Sequence, residues 1–231
     1  MEKEIQLTGG RSTDGVVKSD NIVFRPHKNE SDFANKFLKY LETKNFPYSQ
    51  RYLGRDEKGR DKFLYIDGYV PNEIGDTNIE QLCRFMQTVR NFHDLSLGFT
   101  NSEKVICHND LSPCNIVFVN NMPDAIIDWD SCAVGERWED ITYILWLWIN
   151  IGSWNRDKID IIGQMKIALS SYGEDREVTE NFADKLIWRM DKVISQMSKD
   201  NYQYDRTKEW VEFSKLWVRE NREIITKEIE L

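Results

Sequence analysis

The sequence predicts an α+β chain with a small, mainly β N-terminal part and a larger, mainly helical C-terminal part. Two observations predict this. Short apolar runs broken by Gly, Asn and Asp fill residues 1–26 and 48–67, whereas from residue 79 onward apolar residues recur at helical spacing. A third marks the junction: Phe63-Leu64-Tyr65-Ile66-Asp67-Gly68 reads as a strand with a glycine exit, which sets the boundaries at 1–68 and 69–231.

The elements follow in order. Leu7 to Val17 reads as a strand, a turn through Gly9-Gly10 and a second strand, and Asn21 to Pro26 as a third. Phe33, Phe37, Leu38 and Leu41 predict a helix over Asp32–Thr43, with Glu30-Ser31 as its cap. Strands are expected at 48–54 and 62–67 around the turn Asp56-Glu57-Lys58-Gly59. Ile79 to Leu95 is an amphipathic helix with Leu82, Phe85, Met86, Val89 and Phe92 inward. Ile116–Val119 and Ala125–Ile127 form a hairpin about the turn Asn120–Asp124. Glu139–Ile151 is an aromatic-rich helix, and three more follow near 157–172, 178–198 and 206–228.

Composition excludes several classes. With 40% hydrophobic and 30% charged residues over 231 positions, the chain buries a sizeable core. No apolar run reaches the roughly 18 residues of a membrane span, and Met1-Glu2-Lys3-Glu4 lacks the apolar stretch of a signal peptide. The expectation is a cytoplasmic protein without membrane association. The net charge of −8 argues against nucleic-acid binding and suits a cationic small molecule. Cys83, Cys107, Cys114 and Cys132 show no C-x-x-C pair, so zinc is not expected and the thiols read as small core filler.

The chemistry is concentrated in His108-Asn109-Asp110-Leu111-Ser112-Pro113-Cys114-Asn115, followed thirteen residues after Asn115 by Asp128-Trp129-Asp130. The intervening hairpin returns Asp128 to the side of Asn115, so two oxygen donors converge as a hard cation such as Mg²⁺ requires. Asp110 is placed on the side where an acceptor hydroxyl approaches. This is the layout of a phosphoryl-transfer site: one Asp orients the hydroxyl and takes its proton, while an Asn and a second Asp hold metal.

These residues resemble the aminoglycoside phosphotransferase and choline kinase family. H-N-D-L-S-P-C-N, I-I-D-W-D and V-G-E-R-W-E-D match its catalytic loop, metal loop and following helix start. Tyr52-Leu53-Gly54-Arg55-Asp56 and the short first part are similar to a compact bacterial subgroup that includes trifolitoxin immunity phosphotransferases. The resemblance implies a two-lobed, protein-kinase-like fold, ATP or GTP with Mg²⁺ as cofactors, and transfer to a small hydroxyl compound. It implies Asp110 as catalytic base and Asn115 and Asp128 as metal ligands. Gly10, Arg11, Ser12 and Arg25 would meet phosphates, and the backbone of Ile66 and Gly68 would meet the base. His108 would support the loop, Asp140 would bond its backbone, and Asp130 would touch a second metal or cap a turn.

Two positions depart from the family. Arg25 stands where its strand lysine is usual, and Ala34 where the partner helix glutamate is usual, with Glu30 and Asp32 nearby as substitutes. Aminoglycoside, choline-like amine, sugar and peptide antibiotic all remain open as acceptor. A second class also stands, an immunity protein that sequesters a toxin or antibiotic without turnover.

Overall fold

The computed structural model describes residues 4–7, 15–74, 77–153 and 157–230. Gly10, Arg11, Ser12 and Trp154 lie outside them.

An antiparallel five-stranded sheet builds the N-terminal part, from β1 (Ile5–Gln6), β2 (Val17–Ser19), β3 (Ile22–Arg25), β4 (Tyr52–Arg55) and β5 (Asp61–Leu64), in the order β1-β2-β3-β5-β4. The β4–β5 turn closes because the Asp56 carboxylate accepts from the backbone N–H of Lys58 and Arg60 while Gly59 takes a left-handed φ of 78°. Residues 48–50, expected to extend β4, pair elsewhere: Ser49 bridges Ile126, and Gln50 N–H donates to Ile126 O at 3.1 Å.

Helix α1 (Ser31–Thr43) buries Ala34, Phe37, Leu38 and Leu41. Burying each of the Phe and Leu side chains contributes roughly 1.5–3 kcal/mol. Phe33 instead lies at the surface, edge-on to Phe99. The Glu30 side chain makes no capping bond. Ser31 Oγ takes the Lys28 N–H at 3.3 Å, a bond outside the helix, so the side-chain cap expected from Glu30-Ser31 does not form.

Helix α2 (Ile79–Thr100) starts with a reciprocal capping box between Asn78 and Gln81 and buries all five expected residues. It runs five residues past Leu95, with Gly98 where a Cβ would meet the Tyr40 hydroxyl at 2.5 Å, and Asn101 ends it in the left-handed region. Strand β6 (Val105–Cys107) pairs with β9 (Ala133–Gly135), and β7 (Ile116–Val119) with β8 (Met122–Ile126). The β7–β8 turn is two residues, not five. Asn120 and Asn121 adopt φ of 49° and 63°, the tight hairpin geometry that matches strand twist, so Met122–Asp124 join the strand.

The helical part comprises α3 (Arg137–Trp148), α4 (Lys158–Tyr172), α5 (Arg176–Thr179), α6 (Phe182–Gln196), α7 (Tyr204–Glu220) and α8 (Arg222–Ile229). The helix expected over 178–198 is split where Asn181 turns left-handed. The helix expected over 206–228 breaks at Asn221, which is 8% exposed and donates through Nδ2 to Trp217 O. Asp175 caps α5 and lies 3.8 Å from Arg137, so the acidic run 174–180 begins as a helix start. Trp146 and Trp148 are core, bonded to Ser214 Oγ and Leu111 O, whereas Trp188 is exposed beside Trp138. The result is a two-lobed kinase-like fold, mainly β at the N-terminal side and helical beyond it.

Candidate active site

The loop following β6 is held from below by one carboxylate. Asp140, in the first turn of α3, is fully buried and accepts from His108 N–H at 2.7 Å and from Asn109 N–H at 2.8 Å. Its third partner is His93 Nε2 at 3.2 Å, and His93 Nδ1 meets the Tyr172 hydroxyl at 2.9 Å. Burial opposes the Asp140 charge, but His93 and His108 more than offset it and hold the carboxyl below its ordinary value. Burial also pushes His93 down, against the pull of Asp140, so the ring stays neutral.

His108 ties the loop to the end of β8. Its Nδ1 accepts from Asp110 N–H at 3.2 Å and its Nε2 donates to Ile127 O at 3.1 Å, a consistent neutral tautomer. Ile127 N–H in turn donates to Asn115 O at 2.9 Å. The residue next after Ile127 is Asp128, so Asn115 and Asp128 are brought side by side.

Asp110 is in direct contact with Asn115. Asn115 Nδ2 donates to Asp110 Oδ2 at 2.8 Å and to Asp110 O at 2.9 Å. The other carboxylate oxygen accepts from the Tyr143 hydroxyl at 2.8 Å. Burial and the Asp110 charge push Tyr143 well above its ordinary pKa, so it stays a donor. The Arg189 guanidinium lies over the Tyr143 ring, 4.2 Å from its centroid, and donates to Asn109 O at 2.5 Å. Arg189 is 2% exposed, and its Nε has no acceptor among the described residues. Lys192 adds a contact of 3.4 Å to Asn109 Oδ1. Sequence reading missed Tyr143 and Arg189. A signal existed for the tyrosine, which follows Asp140 by three residues and so shares its helix face.

The carboxylates that Arg25 meets among the described residues are Asp128 and Asp130, not the expected Glu30 or Asp32. Arg25 Nη2 bridges Asp128 Oδ1 at 2.8 Å and Asp130 Oδ2 at 2.6 Å. Asp130 Oδ1 accepts from Ser31 Oγ at 3.2 Å. Asp32 pairs with Arg55 at 2.5 Å and faces His27 at 3.7 Å. Asn109 and Asp128 both sit in the left-handed region, φ 66° and 62°, uncommon for residues other than glycine and frequent at functional sites. Ile66 and Gly68 lie on the connector after β5, where Tyr69 bridges Phe118.

The donor set fits a hard divalent cation. Asn115 spends its amide nitrogen on Asp110, leaving Oδ1 for a metal, and the Asp128 carboxylate is 31% exposed. A second cluster, His93, Cys107 and Asp140, brings potential ligand atoms within 4.8 Å of one another. Its histidine and aspartate atoms are committed to the hydrogen bonds above, and burial pushes Cys107 well above its ordinary pKa, so it reads as architecture.

The sequence model of the phosphotransferase enzyme family matches residues 42–163, more than half of the chain. The chain belongs to the phosphotransferase enzyme family. Among its relatives is the trifolitoxin immunity protein of Rhizobium leguminosarum bv. trifolii, 28% identical over 214 residues, spanning 81% of this chain and 80% of the relative. Solved phosphotransferase structures share the fold. A microcompartment-associated aminopropanol kinase superposes with a TM-score of 0.68 at 10% identity, covering 97% of this chain and 93% of that one. Choline kinase LicA from Streptococcus pneumoniae gives 0.61 at 13% identity, covering 92% and 93%. The gentamicin complex of APH(2")-IIa gives 0.55 at 13%, covering 94% and 91%.

Proposed function

We propose that this phosphotransferase moves the γ-phosphate of ATP or GTP, with Mg²⁺, to a hydroxyl of a small molecule. One observation carries the reading: the Asp110 carboxylate is clamped between Tyr143 and Asn115, and the Asn115 backbone is tied to Ile127, the residue before Asp128. Residues 1–68 serve as the nucleotide lobe and 69–231 as the catalytic and acceptor lobe. Gly10, Arg11, Ser12 and Arg25 face the phosphates, and the backbone of Ile66 and Gly68 faces the base.

Asp110 orients the acceptor hydroxyl. The hydroxyl oxygen bonds to the γ-phosphorus, the bond from that phosphorus to the bridging oxygen breaks, and the nucleoside diphosphate leaves. The hydroxyl proton passes to Asp110 and then to solvent. Both Asp110 oxygens already accept hydrogen bonds that fix the direction of the carboxylate, so orientation is the larger part of its work and proton transfer comes late. Asn115 and Asp128 hold the cation, which when bound neutralises the charge of the phosphates.

The net charge of −8 and the gentamicin complex of a structural neighbour favour a cationic antibiotic such as an aminoglycoside as acceptor. The chemistry draws on cytoplasmic nucleotide, and no helix among the described residues is long and apolar enough to cross a membrane. A second reading, sequestration of a toxin or antibiotic without transfer, is favoured by Arg25 lying across Asp128 and Asp130 and by the name of the immunity relative.

A thermal-shift titration with ATP, GTP and ADP, with and without Mg²⁺, tests the site. Binding to the native state raises the melting temperature by mass action. A Mg²⁺-dependent shift that disappears in Asp128→Ala is expected, followed by phosphorylated product in an acceptor screen. No shift at millimolar nucleotide in folded protein overturns transfer. Protection of cells that survives Asp110→Asn favours sequestration.

A further inference from the structure

Helix α6 carries a buried charge that packing does not explain, and it sits against the catalytic loop. We propose that Arg189 is a positioning residue for the transfer step: through Asn109 and Tyr143 it fixes the direction in which Asp110 presents its carboxylate to the acceptor hydroxyl. The inference rests on the phosphotransferase reading.

Arg189 is 2% exposed. One turn along α6, Lys192 is neutralised by Glu139 at 2.6 Å, and Lys215 of α7 by Asp191 at 2.6 Å. The partners of Arg189 among the described residues are a carbonyl oxygen and an aromatic face, and its Nε is buried without an acceptor. A guanidinium buried in this way costs stability, and an apolar side chain of similar length would serve packing better. Such a charge beside a catalytic loop points to work in the site rather than in the core.

Both contacts lead to Asp110 by short routes. Arg189 Nη2 donates to the carbonyl of Asn109, the residue before Asp110, at 2.5 Å. Asn109 holds a φ of 66°, a conformation that persists only where its surroundings over-determine it. Here they do so from two sides. Asp140 of α3 takes the Asn109 N–H at 2.8 Å, while from α6 Arg189 holds its carbonyl and Lys192 Nζ lies 3.4 Å from its Oδ1. The guanidinium also lies 4.2 Å from the centroid of the Tyr143 ring, whose hydroxyl donates to Asp110 Oδ1 at 2.8 Å. A tilt of that ring would carry the hydroxyl away from the carboxylate. One planar group therefore fixes the backbone that enters Asp110 and the donor that grips its side chain. Arginine suits this task because its flat fork stacks on a ring and donates in its own plane at once, which a lysine ammonium does not.

Steady-state kinetics of the whole chain with ATP and Mg²⁺, read as ADP formed with gentamicin or with water as acceptor, test this beside thermal unfolding and a nucleotide-binding isotherm. Arg189→Met should lower kcat about a hundredfold, with nucleotide affinity within about twofold of the wild type and a melting temperature that does not fall. Arg189→Lys keeps the charge without the stacking fork, is the variant less prone to misfold, and should still lose about tenfold in kcat. Combining Arg189→Met with Tyr143→Phe should slow the reaction by no more than about threefold beyond Arg189→Met alone, because both changes act on one carboxylate, whereas independent effects multiply. A wild-type kcat in Arg189→Met or in Arg189→Lys overturns the proposal, as do multiplying effects in the double variant. So does a loss of kcat that comes with a lower melting temperature and weaker nucleotide binding, the mark of a structural role. Each of these leaves the phosphotransferase reading standing. A folded wild type that forms no ADP with either acceptor overturns both.

Discussion

The Tyr143 hydroxyl donates to Asp110 Oδ1 at 2.8 Å while Asn115 Nδ2 donates to Oδ2 at 2.8 Å, so the carboxylate is gripped from both sides. Removing the hydroxyl alone leaves Asp110 able to rotate about Asn115. Tyr143→Phe should lower the transfer rate about tenfold, the worth of one charge-assisted hydrogen bond, with nucleotide affinity unchanged. Acceptor-dependent release of the nucleoside diphosphate and a parallel nucleotide-binding isotherm separate the two effects. Weakened nucleotide binding at an unchanged rate would contradict this role.

Asp140 and His93 predict how stability varies with pH. Asp140 is held below its ordinary value, so its contribution is present above the unfolded carboxylate pKa and is lost as pH falls through the lower folded value. His93 is held below the ordinary 6.5, so the unfolded chain binds more protons beneath that pH and stability declines there too. Urea unfolding midpoints should therefore fall from about pH 6.5 downward, and His93→Gln should flatten the limb between 6.5 and the carboxylate range. Asp140→Ala should cost about 3–5 kcal/mol at neutral pH, because it strips partners from the buried His93 and from two backbone N–H groups.

Gly68 is confined by β7. A Cβ there would lie 2.6 Å from Phe118 O and 2.6 Å from Val117 Cγ1, contacts with backbone and core that do not yield cheaply. Gly68→Ala should cost about 1–3 kcal/mol in chemical denaturation and displace the Tyr69–Phe118 bridge. An unchanged midpoint would show that the connector relaxes freely.

The four cysteines form no disulfide, and they divide by environment. Burial pushes Cys107 well above its ordinary pKa and Cys132 to about 12. In native protein at pH 8 a thiol reagent should label Cys83 and Cys114 first, with Cys107 and Cys132 reacting only in denaturant. Rapid modification of Cys107 would reopen a nucleophilic role that its surroundings argue against.

Short-range pattern was the legible part. The inward face of α2 and the approach of Asp128 to Asn115 follow from local periodicity and hairpin length. Ile127 then ties the loop together, its N–H donating to Asn115 O and its carbonyl meeting the His108 ring. The Arg25 partners were not legible, because Asp128 and Asp130 lie more than a hundred residues along the chain and no local rule selects between them and Glu30 or Asp32. The break at Asn221 was equally hidden. A polar residue inside a helical pattern gives no sign that its backbone leaves the helix unless its burial is known. Residues 48–50 read as sheet by propensity, yet tertiary pairing with Ile126 decided their partner.

Trp129 touches Phe37 of α1 at 5.6 Å, Phe92 of α2 at 5.4 Å and His108 at 4.7 Å between ring centroids. One indole thus joins the first helix of the chain, the long second helix and the catalytic loop. The indole beside Asp128 is enclosed only with α1 docked on it, although the two are encoded almost a hundred residues apart. The two parts are therefore expected to unfold in a single cooperative transition. A chain cut at residue 68 would yield neither a nucleotide-binding piece nor a catalytic one, and reassembly of the two fragments would restore both at once.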